Sequence, residues 1–258
     1  MKLTTISEGI VVLLALFFGS VLMTGVFSVT GESLGTLLSD GAFIGAILFS
    51  LKTSLIATLF AFFTGVPAGF YLARNKSGIS RLLDALFDIP IVIPPLIIGV
   101  LLLTFFNLEM VKSVYPFIFS TAGATVAQFF IAVPFTIKSS KNAFELVPPV
   151  YERIAMSLGA KPFRSFYDTT FKIAFPGILS GLILTWLRCM GEFGATLMVA
   201  GGIPGRTENI PINVYLHISS GDFDKGITAS MTAVFLSLIC VIIINLFFLK
   251  QKNRGFQE

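Results

Sequence analysis

The chain has 258 residues, of which 55% are hydrophobic and 12% are charged, whereas an ordinary soluble domain has roughly 25% charged residues. This composition excludes a soluble globular protein. The net charge of +4 and the two cysteines also exclude a disordered chain and a disulfide-rich scaffold. With a mean hydropathy of +0.89, the sequence predicts a membrane protein, in which each crossing helix needs about 20 predominantly apolar residues.

Uncharged runs long enough to cross a bilayer occur along the whole sequence. In chain order they are 9–31, 53–73, 89–108, 113–137 and 226–249. A sixth apolar stretch, 173–205, is interrupted only by Arg188 and Glu192 and is too long and too apolar to be a loop. We therefore predict an all-α membrane protein with six transmembrane helices, in a single domain that covers residues 1–258.

The positions of lysine and arginine predict the orientation, because basic loops remain in the cytoplasm. With a cytoplasmic N-terminus, thirteen of the 18 basic residues fall in cytoplasmic segments: Lys2, Arg74, Lys76, Arg81, Lys138, Lys141, Arg153, Lys161, Arg164, Lys172, Lys250, Lys252 and Arg254. We expect a multi-pass protein of the cell membrane with both termini cytoplasmic. The basic charge then reflects contact with anionic lipid and gives no reason to expect nucleic acid.

The longest cytoplasmic segment, residues 145–167, mixes polar and apolar residues and cannot be a span. Two prolines precede an apolar series with helical spacing, and a glycine ends it: Pro148, Pro149, Val150, Ile154, Leu158 and Gly159. This pattern predicts an amphipathic surface helix. Such a helix either lies on the membrane interface or docks a cytoplasmic partner, and we favour docking.

Two features inside the spans indicate a transport path. Arg188 and Glu192 lie four residues apart, so the sequence predicts a pair on one face of the fifth helix that faces protein or water. Pro90, Pro94 and Pro95 interrupt the third span, which must kink or break there. The alternatives are a structural ion pair and a plain structural kink.

Residues that could carry catalysis are missing from the sequence. It has one histidine and no phosphate-binding GxxxxGK[ST] motif, so ATP energy must come from another chain. We predict a transport subunit that is not an enzyme and that holds no metal or cofactor of its own. A secondary transporter or channel that uses Arg188 and Glu192 without ATP is the alternative function, and an intramembrane enzyme is a more remote one.

With these residues in view, residues 50–237 resemble the permease subunits of ABC importers that take up tetrahedral oxyanions, and most closely those for molybdate. The similar segments are GVP at 65–67, LDALFDIP at 83–90 with Pro94 and Pro95, AQFFIAVPF at 127–135, and RCMGEFGATLMVAGGIPGRT at 188–207. The resemblance implies the type I importer permease fold, with a coupling helix between transmembrane helices 4 and 5.

The cytoplasmic segment is similar to the family's coupling motif, which reads Glu-Ala-Ala, three residues, then Gly. Ala155 and Gly159 occupy the expected places, whereas Arg153 and Ile154 replace Glu and Ala, and Glu152 lies one position early. The resemblance places the coupling contacts with an ATPase at Glu152, Arg153, Ala155, Leu158, Gly159, Ala160 and Lys161.

The resemblance also implies the rest of the assembly. A second copy of the chain, a cytoplasmic ATPase dimer that binds ATP and Mg, and an extracytoplasmic oxyanion-binding protein would be the partners, within membrane lipid. The translocation path and gate would be formed by Pro94, Pro95, Arg188, Gly191, Glu192 and Gly194. The expected function is ATP-driven import of molybdate, with tungstate or sulfate as alternatives, by alternating access in a homodimer.

Overall fold

The computed structural model describes the backbone of residues 2–254 and the side chains of residues 7–242, and this part of the chain contains helices and no strand. In chain order the helices are α1 Lys2–Ser28, α2 Gly31–Leu38, α3 Gly41–Arg74, α4 Gly78–Val92, α5 Pro95–Phe106, α6 Glu109–Lys112, α7 Thr121–Glu145, α8 Val150–Ser157, α9 Pro162–Ser165, a π-helix Phe166–Phe171, α10 Lys172–Met190, α11 Gly194–Ala200, α12 Ile210–Ser219 and α13 Phe223–Arg254. The predicted all-α architecture is confirmed.

Two compact units make up the described chain. One comprises the residues up to Ile44 together with those from Ile210 onward. Within it α1, α2 and α12 all pack on α13. The Thr228 hydroxyl donates to Ser33 Oγ at 3.0 Å, which links α13 to α2.

The second unit, residues 45–209, has α7 at its centre. Small residues let the neighbouring helices approach closely, as in other membrane bundles. A Cβ atom on Gly181 of α10 would lie 2.2 Å from Ser139 Cβ of α7, and one on Gly69 of α3 would lie 2.8 Å from the Ile137 carbonyl oxygen. Gly69 follows Gly65 by four residues and Gly181 follows Gly177 by four, the small-xxx-small spacing of packed membrane helices. Gly69 and Gly181 therefore fix the spacing of α3 and α10 on α7.

Gly69 and Gly45 lie on the same helix and allow a matched test of this packing. We expect Gly69→Ala to lower the thermal stability of the purified protein, because the new methyl group would meet backbone atoms of α7. A methyl group at position 45 would have no atom within 4 Å. Gly45→Ala should therefore be neutral, or stabilise the protein by up to about 1 kcal/mol through helix propensity. Equal melting temperatures for the two variants would contradict this packing.

Among the residues that the structure describes, four helices are long and apolar enough to cross a membrane by length and composition: Ser7–Ser28, Gly41–Arg74, Pro162–Met190 and Phe223–Ile242. The pair α4 and α5 adds a fifth if it counts as one span. The run 113–137 differs from expectation, because its helix begins only at Thr121, where Ser120 Oγ caps it by accepting from the Gly123 amide at 3.0 Å. The count of six spans stays a prediction.

The third predicted span is broken at its prolines. The axes of α4 and α5 differ by 111°, and the break falls between Val92 and Pro95, whereas Pro90 lies inside α4. Pro94 and Pro95 have no amide hydrogen to donate, so α4 cannot continue through them. The predicted interruption is confirmed.

The stretch 173–205, one of the six predicted spans, contains a break, so the expectation that Arg188 and Glu192 share one face of the fifth helix is wrong. Helix α10 ends at Met190, Glu192 and Phe193 lie between the helices, and α11 runs only from Gly194 to Ala200. Gly201 then ends α11 in the left-handed conformation, with φ of 76°, which glycine adopts without steric cost. Glu192 therefore lies in a break between two helices rather than on the face of one.

Candidate functional site

Glu192 is the centre of the break between α10 and α11. Its side chain is 1% exposed. Oε1 accepts a hydrogen bond from the Ala195 amide at 2.9 Å, and Oε2 lies 2.5 Å from Nη1 of Arg188. The predicted Arg188–Glu192 pair is confirmed, and the same carboxylate also satisfies a free amide in the first turn of α11.

The backbone of Glu192 is held by a residue that sequence reasoning missed. Asn209, which is fully buried, donates from Nδ2 to the Glu192 carbonyl oxygen at 2.6 Å. Thr207, also buried, donates to the Ala200 carbonyl at 2.7 Å and accepts from the Ile203 amide at 3.0 Å. The loop after α11 therefore folds back on the break, and a buried Asn and Thr directly after a Gly-rich stretch were the available signal.

The two broken spans meet at α5 and α11. A Cβ atom on Gly194 would lie 2.8 Å from the Leu96 nitrogen, directly after Pro95, and one on Gly99 would lie 2.8 Å from Ala195 Cα. The structure therefore brings the proline break and the glutamate break together, as the set of predicted path residues requires. Pro94 and Gly191 are exposed, and Arg188 is half-buried.

Gly194 and Gly191 differ in what a side chain would meet, although they are three residues apart. We expect Gly194→Ala to destabilise the protein by about 1–3 kcal/mol, because α11 would have to move away from the backbone of α5. Gly191→Ala meets only the Leu187 carbonyl oxygen at 3.6 Å, an ordinary contact, and should leave the melting temperature nearly unchanged. A stable Gly194→Ala variant would show that the approach of α5 to α11 is looser than described.

Fully buried polar side chains also lie on α7 and α10. Thr136 and Thr185, both fully buried, share a hydrogen bond of 2.7 Å between the two helices. Gln128 is fully buried, and neither atom of its side-chain amide has a hydrogen-bond partner among the described residues. Because polar groups inside a membrane are costly, Gln128 is a further candidate functional residue, and no motif in the sequence singles it out.

The predicted surface helix is α8. It begins at Val150 after Pro149 and ends at Ser157, and Gly159 follows with φ of 91°. Its apolar positions are exposed, at 41% for Val150, 54% for Ile154 and 83% for Leu158. The amphipathic helix is therefore confirmed, and its apolar side chains are not covered by the rest of the described chain.

Glu152 anchors α8 to the bundle. Its Oε1 accepts from the Thr170 hydroxyl at 2.5 Å and lies 3.6 Å from Nη2 of Arg74. Its backbone carbonyl accepts from the Ser165 hydroxyl at 2.7 Å. Arg74 also donates to the Val147 carbonyl at 3.0 Å. The side chain of Glu152 thus points toward the helix bundle, whereas Arg153, Leu158, Gly159 and Lys161 are exposed, and Ala155 and Ala160 are half-buried.

Comparison with known proteins places this arrangement among transport proteins. Residues 65–251 match the family described as binding-protein-dependent transport system inner membrane component. The molybdenum transport system permease protein of Mycobacterium tuberculosis (strain ATCC 25618 / H37Rv) is 34% identical over 204 residues, which are 77% of this chain and 74% of that protein. The molybdate/tungstate transport system permease protein of Thermococcus kodakarensis is 38% identical over 169 residues, which are 66% of each chain.

Solved structures support the same fold. A bacterial alginate ABC transporter in complex with an alginate-pentasaccharide-bound periplasmic protein superposes with a TM-score of 0.72 at 16% identity, over 93% of this chain and 91% of that one. The MetNI methionine ABC transporter in inward-facing conformations superposes with a TM-score of 0.58 at 21% identity, over 79% of this chain and 91% of that one. At these identities the likeness shows the fold, that of type I ABC importer permeases.

Proposed function

The chain belongs to the binding-protein-dependent transport system inner membrane component family, and from this premise we propose that it forms the membrane half of an ATP-driven oxyanion importer. It is a multi-pass permease of the molybdate/tungstate branch and a transport component rather than an enzyme. Molybdate is the proposed substrate, with tungstate and sulfate as the competing anions. The relatives' names support the first two anions.

The observation that carries the proposal is α8. A helix that is anchored through Glu152 but leaves Val150, Ile154 and Leu158 exposed has the form of a docking element. We assign its exposed surface, with Arg153, Gly159 and Lys161, to a cytoplasmic ATPase dimer that holds ATP and Mg. The side chain of Glu152 would fix the helix and not contact the ATPase. Both termini would then lie in the cytoplasm with α8.

The path is assigned to the junction of the two breaks. Pro94, Pro95, Arg188, Gly191, Glu192 and Gly194 would line or gate a pore on the two-fold axis of a homodimer. Arg188 and Glu192 form a pair without net charge, so Arg188 would attract a dianion only when a conformational change separates it from Glu192. The alginate transporter, which is bound to its periplasmic protein, supports an extracytoplasmic binding protein as the third partner.

Uptake by the reconstituted complex tests this function. Vesicles that contain the permease, its ATPase and its binding protein should accumulate molybdate only when ATP is present on the cytoplasmic side, and tungstate should compete. The same vesicles with a non-hydrolysable ATP analogue are the control. Equal uptake without hydrolysis would contradict the proposal and favour an ATP-independent transporter built on Arg188 and Glu192.

A further inference from the structure

A cluster of four charged side chains joins α4 to α7, and none of them belongs to the path or to the coupling segment described above. Nζ of Lys138 lies 2.7 Å from Asp84 Oδ1 and 2.8 Å from Asp88 Oδ1. Nζ of Lys141 lies 2.6 Å from Asp84 Oδ2. Asp84 is thus held by both lysines.

These contacts are protected more than ordinary surface ion pairs. The side chains of Lys141, Asp84 and Lys138 are 20%, 23% and 26% exposed, whereas that of Asp88 is 47% exposed. Lys138 also donates to the Asp84 carbonyl oxygen at 3.3 Å. Two carboxylates and two ammonium groups neutralise one another. A part-buried network with several partners is worth more than an isolated exposed pair, so it fixes α4 against α7.

The same end of α7 also carries the coupling segment. Glu145 forms an ion pair with Lys76, and Val147, which follows α7, accepts from Arg74. Arg74 lies in turn beside Glu152 of α8. The last two turns of α7 therefore contact α4 directly, whereas α8 is joined to this region through Arg74 of α3, which contacts both the Val147 carbonyl and Glu152.

Helix α4 leads directly into the proline break, and beyond it α5 packs on α11 beside Glu192. A series of contacts therefore runs from α8 through Arg74 to Val147 at the end of α7, and from Lys138 and Lys141 of α7 through Asp84 to the broken helix α4–α5. Packed side chains and salt-bridge networks of this kind can carry coupling between distant sites. Within the described chain, Asp84 is the residue that joins α4 to two side chains of α7 at once.

We propose that Asp84 is a positioning residue for transport, through which motion of the α8 region reaches the broken helix α4–α5. The proposal rests on the proposed function, because it assumes that an ATPase moves α8. Lys138 and Lys141 hold Asp84, and Asp88 shares Lys138. The role is to make α4 and α7 move as one body, not to contact the anion.

The test is Asp84→Asn in the complete complex, which removes the charge at nearly constant shape. We expect the ratio of anion transported to ATP hydrolysed to fall about fivefold or more, since about fivefold is the lower end of typical allosteric coupling. Basal ATPase activity should stay within about twofold of the wild-type value. Asp168→Asn is the matched control. Asp168 also has two basic partners, Arg164 at 3.3 Å and Lys172 at 2.9 Å, but both lie four residues away on its own segment.

Further variants separate positioning from folding. If Asp84→Asn does not assemble, Lys141→Gln keeps the Lys138 contact and should lower the same ratio by a smaller factor. Asp84→Glu, which retains a carboxylate for Lys138 and Lys141, should keep part of the coupling that Asp84→Asn loses. An unchanged ratio, or a loss of transport and ATPase activity in equal proportion, would overturn the proposal. Absence of ATP-dependent uptake in the wild-type complex would instead overturn the proposed function.

Discussion

Gly159→Glu is expected to abolish ATP-dependent uptake while leaving the permease folded. The residue has φ of 91°, where a side chain costs roughly 1–2 kcal/mol, and no atom lies within 4 Å of the new Cβ. The protein itself can therefore accept the side chain. A docked ATPase would clash with the bulk of the new glutamate side chain and would meet its negative charge. Loss of a central interface contact costs about 2 kcal/mol or more, roughly a 30-fold loss of affinity for the ATPase.

Gly221→Glu is the matched control for this substitution. Gly221 has φ of 87° and also has no atom within 4 Å of a new Cβ, but it lies in the turn between α12 and α13. Both variants carry the same backbone strain and the same charge change. Binding of the ATPase, measured by co-purification, and uptake should be lost only for Gly159→Glu. Equal behaviour of the two variants would remove α8 from the coupling assignment.

Glu192→Gln is expected to impair both stability and transport. The amide oxygen of glutamine can still accept from the Ala195 amide, so the first turn of α11 keeps its partner. Arg188, however, loses the neutralising charge. We expect a loss of about 2 kcal/mol, below the usual figure for a broken buried pair because the Arg188 side chain is 28% exposed. Uptake should fall more than this stability loss explains, if the pair gates the path.

A double variant separates the two effects. Arg188→Gln combined with Glu192→Gln leaves no unpaired charge, and it should unfold at a higher temperature than Glu192→Gln alone while remaining inactive in transport. Asp222→Asn, which removes the exposed pair with Lys225, should change neither property. Full uptake by the double variant would leave Arg188 and Glu192 with a structural role only.

Local features of the chain could be predicted from the sequence because short-range rules govern them. The break at Pro94 and Pro95 follows from the missing amide hydrogens. The boundaries of α8 follow from Pro149 and Gly159, and the Arg188–Glu192 contact follows from its spacing and the cost of an unpaired charge. The family resemblance added the fold and the expected partners, which no spacing within the chain could provide.

The errors concern how apolar stretches divide into helices. Hydropathy does not distinguish one long span over 173–205 from α10, a break and α11, since both are equally apolar. Likewise, Asn209 can donate to the Glu192 carbonyl oxygen only because the chain folds back over the 17 residues between them. The contact of Asp84 with Lys138 and Lys141 spans more than 50 residues. Such contacts are set by tertiary packing, which the sequence pattern does not contain.

The central claim is that this permease works with an ATPase. The most direct measurement is to tag the chain, purify it gently from its native membrane and identify stoichiometric partners by mass spectrometry. We expect an ATPase with a phosphate-binding loop at one copy per permease, lost in Gly159→Glu and retained in Gly221→Glu. Repeated stable preparations without an ATPase would contradict the proposed function and make Arg188 and Glu192 the centre of a self-sufficient transporter.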